Sequence, residues 1–176
     1  MPIDMVPNED AGYAFLVDWG SHRVVCIDEG PPRSTRNIPR SPEEAAATFP
    51  YPPSMRVIAG KGERGSSLAH LAEPMNAVEF EDEIYIADRG NNRVVAWPSD
   101  GSGTMGRLVS GSNPGSGMCD LYAPASCEID RTRKILYVAD TGNQRVMAYE
   151  ISSSKAGRGP LEGNAIYLLG RLFLCH

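Results

Sequence analysis

Apolar and polar residues fall in blocks along this chain, and one arrangement of blocks is written three times. An apolar run leads into Asp-x-Gly, two polar residues and Arg-Val, and a second apolar run follows. The copies read FLVDWGSHRVVCI from Phe15, YIADRGNNRVVAW from Tyr85 and YVADTGNQRVMAY from Tyr137. The runs ahead of the Asp (residues 14–17, 84–87 and 136–139) and behind the Arg (24–27, 94–97 and 146–149) are too short for helices. They are rich in β-branched and aromatic side chains, so they predict strands. Because the apolar residues are continuous instead of alternating with polar ones, both faces of each strand are expected to be covered by neighbouring layers.

Four residues separate the two strands of each copy: Trp19-Gly20-Ser21-His22, Arg89-Gly90-Asn91-Asn92 and Thr141-Gly142-Asn143-Gln144. Glycine followed by Ser or Asn suits a hairpin turn, with Gly20, Gly90 and Gly142 expected at the positive φ such a turn demands. Asp18 with Arg23, Asp88 with Arg93 and Asp140 with Arg145 bracket these turns. Each carboxylate is expected to accept from turn N–H groups and to pair with the guanidinium, forming a structural brace. A residue that recurs once per unit at the same turn supports the unit, whereas site residues break the repeat. A Ca²⁺ role for Asp18, Asp88 and Asp140 is therefore not assigned.

The flanks repeat as well. Leu-x-x-Pro at 71–74 and 121–124 precedes a strand-like stretch at 77–80 and 126–129, and an apolar run ending in Gly recurs at 57–60, 108–111 and 167–170. Each unit then holds four strands. Taken together, the Pro, the Tyr-Val-Ala-Asp-like strand, the Gly-Asn-x-Arg-Val turn and the closing aromatic resemble the NHL repeat over most of residues 11–176. Copies two and three carry the pattern almost in full, while Trp19, Ser21 and His22 depart from it in copy one. The resemblance implies an all-β fold of β-propeller type built from four-stranded antiparallel blades. Its relatives include protein-binding and RNA-binding scaffolds, with propeller enzymes such as the peptidyl-hydroxyglycine lyases nearby.

The aspartates are 70 and then 52 residues apart, so the chain holds about three blades and the start of a fourth. Rings of this type typically need about 4 to 8, and an incomplete ring is expected: a fragment of a longer protein, a half-ring completed by a second copy, or an arc docked on a larger assembly. Residues 1–176 are read as a single partial domain with a Pro-rich insertion at 28–55 between the first and second blades. Inside it, Ser41-Pro42-Glu43-Glu44 predicts a short helix. Arg33, Arg36 and Arg40, with Lys61 and Arg64, are the candidate partner-binding residues. The last residues, 166–176, form an apolar tail.

A net charge of −5 makes nucleic acid an unlikely main partner, because phosphate binding rests on a concentrated positive field. No apolar stretch approaches the length of a membrane span, and the composition fits a soluble domain. Cys26, Cys119, Cys127 and Cys175 show no metal spacing and are expected as free thiols, a Cys119–Cys127 bridge being the alternative. GKGERG at 60–65 and GSGTMG at 101–106 match a dinucleotide pattern but open no predicted helix, so they are read as interstrand loops. His22, His70 and His176 form no metal pair. No catalytic, cofactor or metal residue is assigned, and no cofactor is expected. The expected function is a non-catalytic scaffold for a protein partner or for a second copy that completes the ring. One alternative is a lyase- or hydrolase-type propeller enzyme with a metal in its channel near Asn76, Glu79, Ser126 and Glu128. The other is an RNA-binding NHL domain.

Overall fold

A computed structural model describes residues 2–8, 12–28, 54–111 and 113–151. Within them the chain forms three antiparallel sheets, each following sequence order. The first contains β1 (Pro2–Asn8), β2 (Tyr13–Asp18), β3 (Arg23–Asp28) and β4 (Ser54–Ala59). The second contains β5 (Pro74–Phe80), β6 (Glu83–Asp88), β7 (Arg93–Pro98) and β8 (Arg107–Ser110). The third contains β9 (Ser126–Asp130), β10 (Ile135–Asp140) and β11 (Arg145–Glu150). All-β architecture in short strands is thus what the blocks of apolar residues encode.

The repeat extends to register. Asp18 pairs with Arg23, Asp88 with Arg93 and Asp140 with Arg145 as the closing pair of each central hairpin. Pro2 lies opposite Asp18 and Pro74 opposite Asp88, each followed by the same slip in register. A second matching irregularity falls between Val24 and Val25 and between Val94 and Val95. Bulges of this kind add local twist.

The middle sheet is covered on both faces. Ile84, Ile86, Val95 and Trp97 pack into one core with Phe15, Val17, Val24 and Ile58 of the first sheet. Their neighbours Tyr85, Ala87, Val94 and Ala96 pack into another with Leu136, Val138, Met147 and Tyr149 of the third. The continuous apolar runs of β6 and β7 follow from this, since alternate residues of one strand serve opposite cores. In β10, by contrast, buried and half-buried residues alternate. The sheets also meet along their first strands, β1 against β5 and β5 against β9.

The hairpin connection differs from the sequence expectation. In each copy three residues (Trp19–Ser21, Arg89–Asn91 and Thr141–Asn143) make one turn of 3₁₀ helix. The left-handed residue is the fourth: His22 at φ 50°, Asn92 at 54° and Gln144 at 53°. Its N–H closes the turn onto the first residue's carbonyl. Glycine stands at the second place for a different reason. The Gly90 N–H donates to Ala72 O at 2.8 Å, and a Cβ on Gly90 would stand 2.8 Å from that oxygen. Gly142 meets the backbone and ring of Tyr122 in the same way. Close approach, not positive φ, demands the missing side chain there.

The segment 29–53 joins β3 to β4, so the Pro-rich insertion falls inside the first sheet instead of leading from it to the second. The expected helix at 41–47, the run at 167–170 and the tail at 166–176 lie outside the described residues.

Gly90→Ala should force Ala72 away from the turn. Overpacking of this kind costs about 1–3 kcal/mol. A urea midpoint lowered without a change in slope is the expected result, and an unchanged midpoint would contradict the close-approach account.

Candidate functional site

The brace residues do more than close their own hairpins. Arg93 donates from Nε to Asp88 Oδ2 at 2.7 Å, from Nη1 to Ser66 O at 2.7 Å and from Nη2 to Ser67 O and His70 O at 2.9 Å each. Asp88 Oδ1 accepts from the Ala72 N–H at 2.7 Å, and the Asn91 amide donates both to Asp88 Oδ2 and to Gly65 O at 2.8 Å. The third sheet repeats the set on the loop that leads to it. Arg145 donates to Asp140 Oδ2, Ser116 O, Gly117 O and Asp120 O, while Asp140 Oδ1 accepts from the Tyr122 N–H. Asn143 donates to Asp140 Oδ2 and Gly115 O.

The partners therefore differ from those expected. In copies two and three the carboxylate accepts from a connecting loop and from an Asn side chain, and only in copy one does a turn N–H, that of Ser21, donate to it, at 3.3 Å. Sequence reasoning missed the loop because its contribution is backbone carbonyls, which leave no residue signature. The repeated phrase Leu-x-x-Pro was its only trace. Leu71 and Leu121, at the ends of these loops, are fully buried.

Burial raises the Asp88 carboxyl above its ordinary value, against the lowering pull of the Ala72 N–H, the Asn91 amide and the Arg93 guanidinium. Such a pair is worth little against an apolar replacement, yet breaking it strands a buried charge. The brace at Asp18 and Arg23 is looser, at 3.3 Å, and more exposed.

The fourth turn residue links one sheet to the next. His22 Nδ1 accepts from the Glu73 N–H at 3.1 Å, and Asn92 Oδ1 accepts from the Ala123 N–H at 2.9 Å. The first strands are tied in parallel fashion. Asn76 donates to Asp4 Oδ2 at 2.9 Å and its carbonyl oxygen accepts from the Cys127 N–H at 2.8 Å.

Turning to the other candidates, Arg64 pairs with Glu73 at 2.9 Å, beside Arg89, and Lys61 is exposed in the same connecting loop. Arg33, Arg36 and Arg40 lie outside the described residues. The loop at 99–106 joins β7 to β8 within the second sheet, at the strand ends opposite to the 3₁₀ turns, so it does not share a rim with the connecting loops at 60–73 and 111–125. Glu79 accepts from the Tyr13 hydroxyl at 2.7 Å and Glu128 from the Ile129 N–H at 3.1 Å. Among the described residues no three His, Cys, Asp or Glu side chains stand together as a metal set would. Cys26, Cys119 and Cys127 form no disulfide with one another, and burial pushes the Cys127 thiol far up. No helix among the described residues is long and apolar enough to cross a membrane.

Among polar neighbours such as Lys61, Arg64 and Arg89, the turn rim exposes three large apolar side chains, Trp19, Met118 and Tyr122.

No protein-family model matches the chain, and no curated protein matches it. Solved structures do share its fold. An auxiliary nutrient binding protein from Bacteroides ovatus ATCC 8483 matches with a TM-score of 0.57 and 17% identity, over 78% of this chain and 34% of that one. One of the same description from Bacteroides thetaiotaomicron VPI-5482 matches with a TM-score of 0.55 and 16% identity, over 78% and 34%. A candidate phosphatase from the latter organism matches with a TM-score of 0.59 and 13% identity, over 86% of this chain and 35% of its own. The chain spans about a third of the length of these structures.

Removing the carboxylate of Asp88 leaves the Arg93 guanidinium buried without its counter-charge. Asp88→Asn should cost about 3–5 kcal/mol, the usual loss when one partner of a buried pair goes. Asp18→Asn, at the looser and wetter brace, should cost about 1 kcal/mol or less. Chemical denaturation of both variants checks the order, and equal losses would contradict it.

Proposed function

We propose that the chain is an arc of consecutive β-propeller blades of NHL type and serves as a non-catalytic scaffold that binds a protein partner. The observation that carries this reading is the use made of the repeated charged groups. Asp88, Arg93, Asp140 and Arg145 are bonded into the frame, where they bind each sheet to the loop leading into it. A frame stiffened in this way holds its rim loops in fixed positions, which suits binding surfaces carried on a rigid support.

Other features support the blade arrangement. First strands that meet along one line, a middle sheet covered on both faces and matched bulges in successive sheets are what wedging around an axis requires. Similarity to longer solved structures over about a third of their length agrees with an arc of a larger ring. The names of those proteins bring no substrate to this chain. Trp19, Met118 and Tyr122 supply the apolar and aromatic character typical of contact surfaces.

A photoreactive side chain placed at Met118 on the turn rim, or at Met105 on the opposite rim, tests the reading in the cells that produce the protein. Both methionines are exposed. A discrete protein adduct from position 118 and none from position 105 is expected. Adducts from position 105 alone, or from neither, would overturn the scaffold reading.

A further inference from the structure

The Asp–Arg hairpin of the first sheet has the shape of the other two but not their cargo. Its turn has the same 3₁₀ geometry and the same left-handed fourth residue. In the second and third sheets the arginine holds three loop carbonyls, and the glycine N–H donates to a fourth, that of Ala72 or Tyr122. In the first sheet Arg23 reaches Asp18 through Nε, and among the described residues neither of its terminal nitrogens meets a carbonyl. The exposure of the arginine side chain follows suit, 32% for Arg23 against 8% for Arg93 and for Arg145. Gly20 and Trp19 beside it are exposed.

We propose that this hairpin is a docking site for a polypeptide loop donated from outside the first sheet, of the kind the chain supplies to its own second and third sheets. The chemistry of the occupant is read from those two internal examples. It presents three backbone carbonyls to Arg23, a further carbonyl to the Gly20 N–H, and a leucine that is buried as Leu71 and Leu121 are. An anion is disfavoured by the Asp18 carboxylate, 3.3 Å from Arg23 Nε. Carbonyl oxygens carry only partial charge and satisfy the guanidinium without that repulsion. Trp19 stands where Arg89 and Thr141 stand in the other turns, at the edge of the place the loop would fill. Its indole then covers the docked segment, and Ser21 supplies the hydroxyl where Asn91 and Asn143 supply amides.

This inference rests on and deepens the scaffold reading, since it gives the chemistry of a partner loop that such a scaffold would hold, but the two fail separately. A missing adduct at position 118 removes the scaffold and leaves the docking site untouched.

The test uses the intact chain and a synthetic peptide of its own residues 63–74, ERGSSLAHLAEP, which includes the loop that Arg93 grips. Trp19 is the reporter, because it is exposed while Trp97 is buried. A saturable shift of tryptophan emission to shorter wavelength is expected at millimolar peptide, lost with Arg23→Lys and with a scrambled peptide of the same composition. No saturable shift, or an equal shift with Arg23→Lys or with the scrambled sequence, would overturn the proposal. So would a concentration-dependent dimer that shields Trp19 without peptide, because a second copy would then be the occupant. Circular dichroism confirms that Arg23→Lys is folded, and the scrambled peptide keeps the test decisive if it is not.

Discussion

A buried carboxylate that accepts one loop N–H and orients one arginine is the interaction on which the rest of this structure depends. Asp88 fixes Arg93 through Nε, and the fixed guanidinium then collects three carbonyls from residues 66, 67 and 70. Those carbonyls would otherwise turn to water, and the guanidinium replaces solvent as their donor. A loop without regular secondary structure is held this way, and it leads directly into β5. Asp140 and Arg145 do the same for the loop that leads into β9. The spacing between sheets is thereby set by hydrogen bonds as well as by the two apolar cores.

The links between sheets form a consistent series. His22 and Asn92 cap N–H groups of Glu73 and Ala123, two residues that themselves adopt the left-handed region. Asn76 bridges Asp4 and Cys127 across three first strands. Left-handed backbone at a non-glycine residue costs about 1–2 kcal/mol, and each such residue here lies within a hydrogen-bonded turn or link. Strain and compensation repeat together, which is why the sheets match in register as well as in sequence.

Much of this was legible in the residues and some of it was not. The strands of Phe15, Tyr85 and Tyr137 were readable because apolar runs of that length in β-branched residues have few other solutions. The pairing of Asp18, Asp88 and Asp140 with their arginines was readable from spacing. The role of Gly90 and Gly142 was not, because a glycine required by a neighbouring backbone carbonyl looks the same in sequence as one required by positive φ. Nor was the reach of Arg93 and Arg145 into the connecting loops, since backbone acceptors exist at every residue. The Pro-rich segment was placed between units because its length interrupts the repeat, whereas β4 closes the first sheet after it. For the candidate site, residue types pointed to the frame and its geometry supplied the partners.

Native-state hydrogen exchange tests the central claim most directly. The Ala72 and Tyr122 amides lie in loops, yet each donates to a buried carboxylate. If the brace binds loop to sheet, both exchange as slowly as the sheet amides of Ile86 and Val138. Exchange as fast as that of Ser102, whose N–H meets the exposed Asp100 carboxylate, would contradict the account.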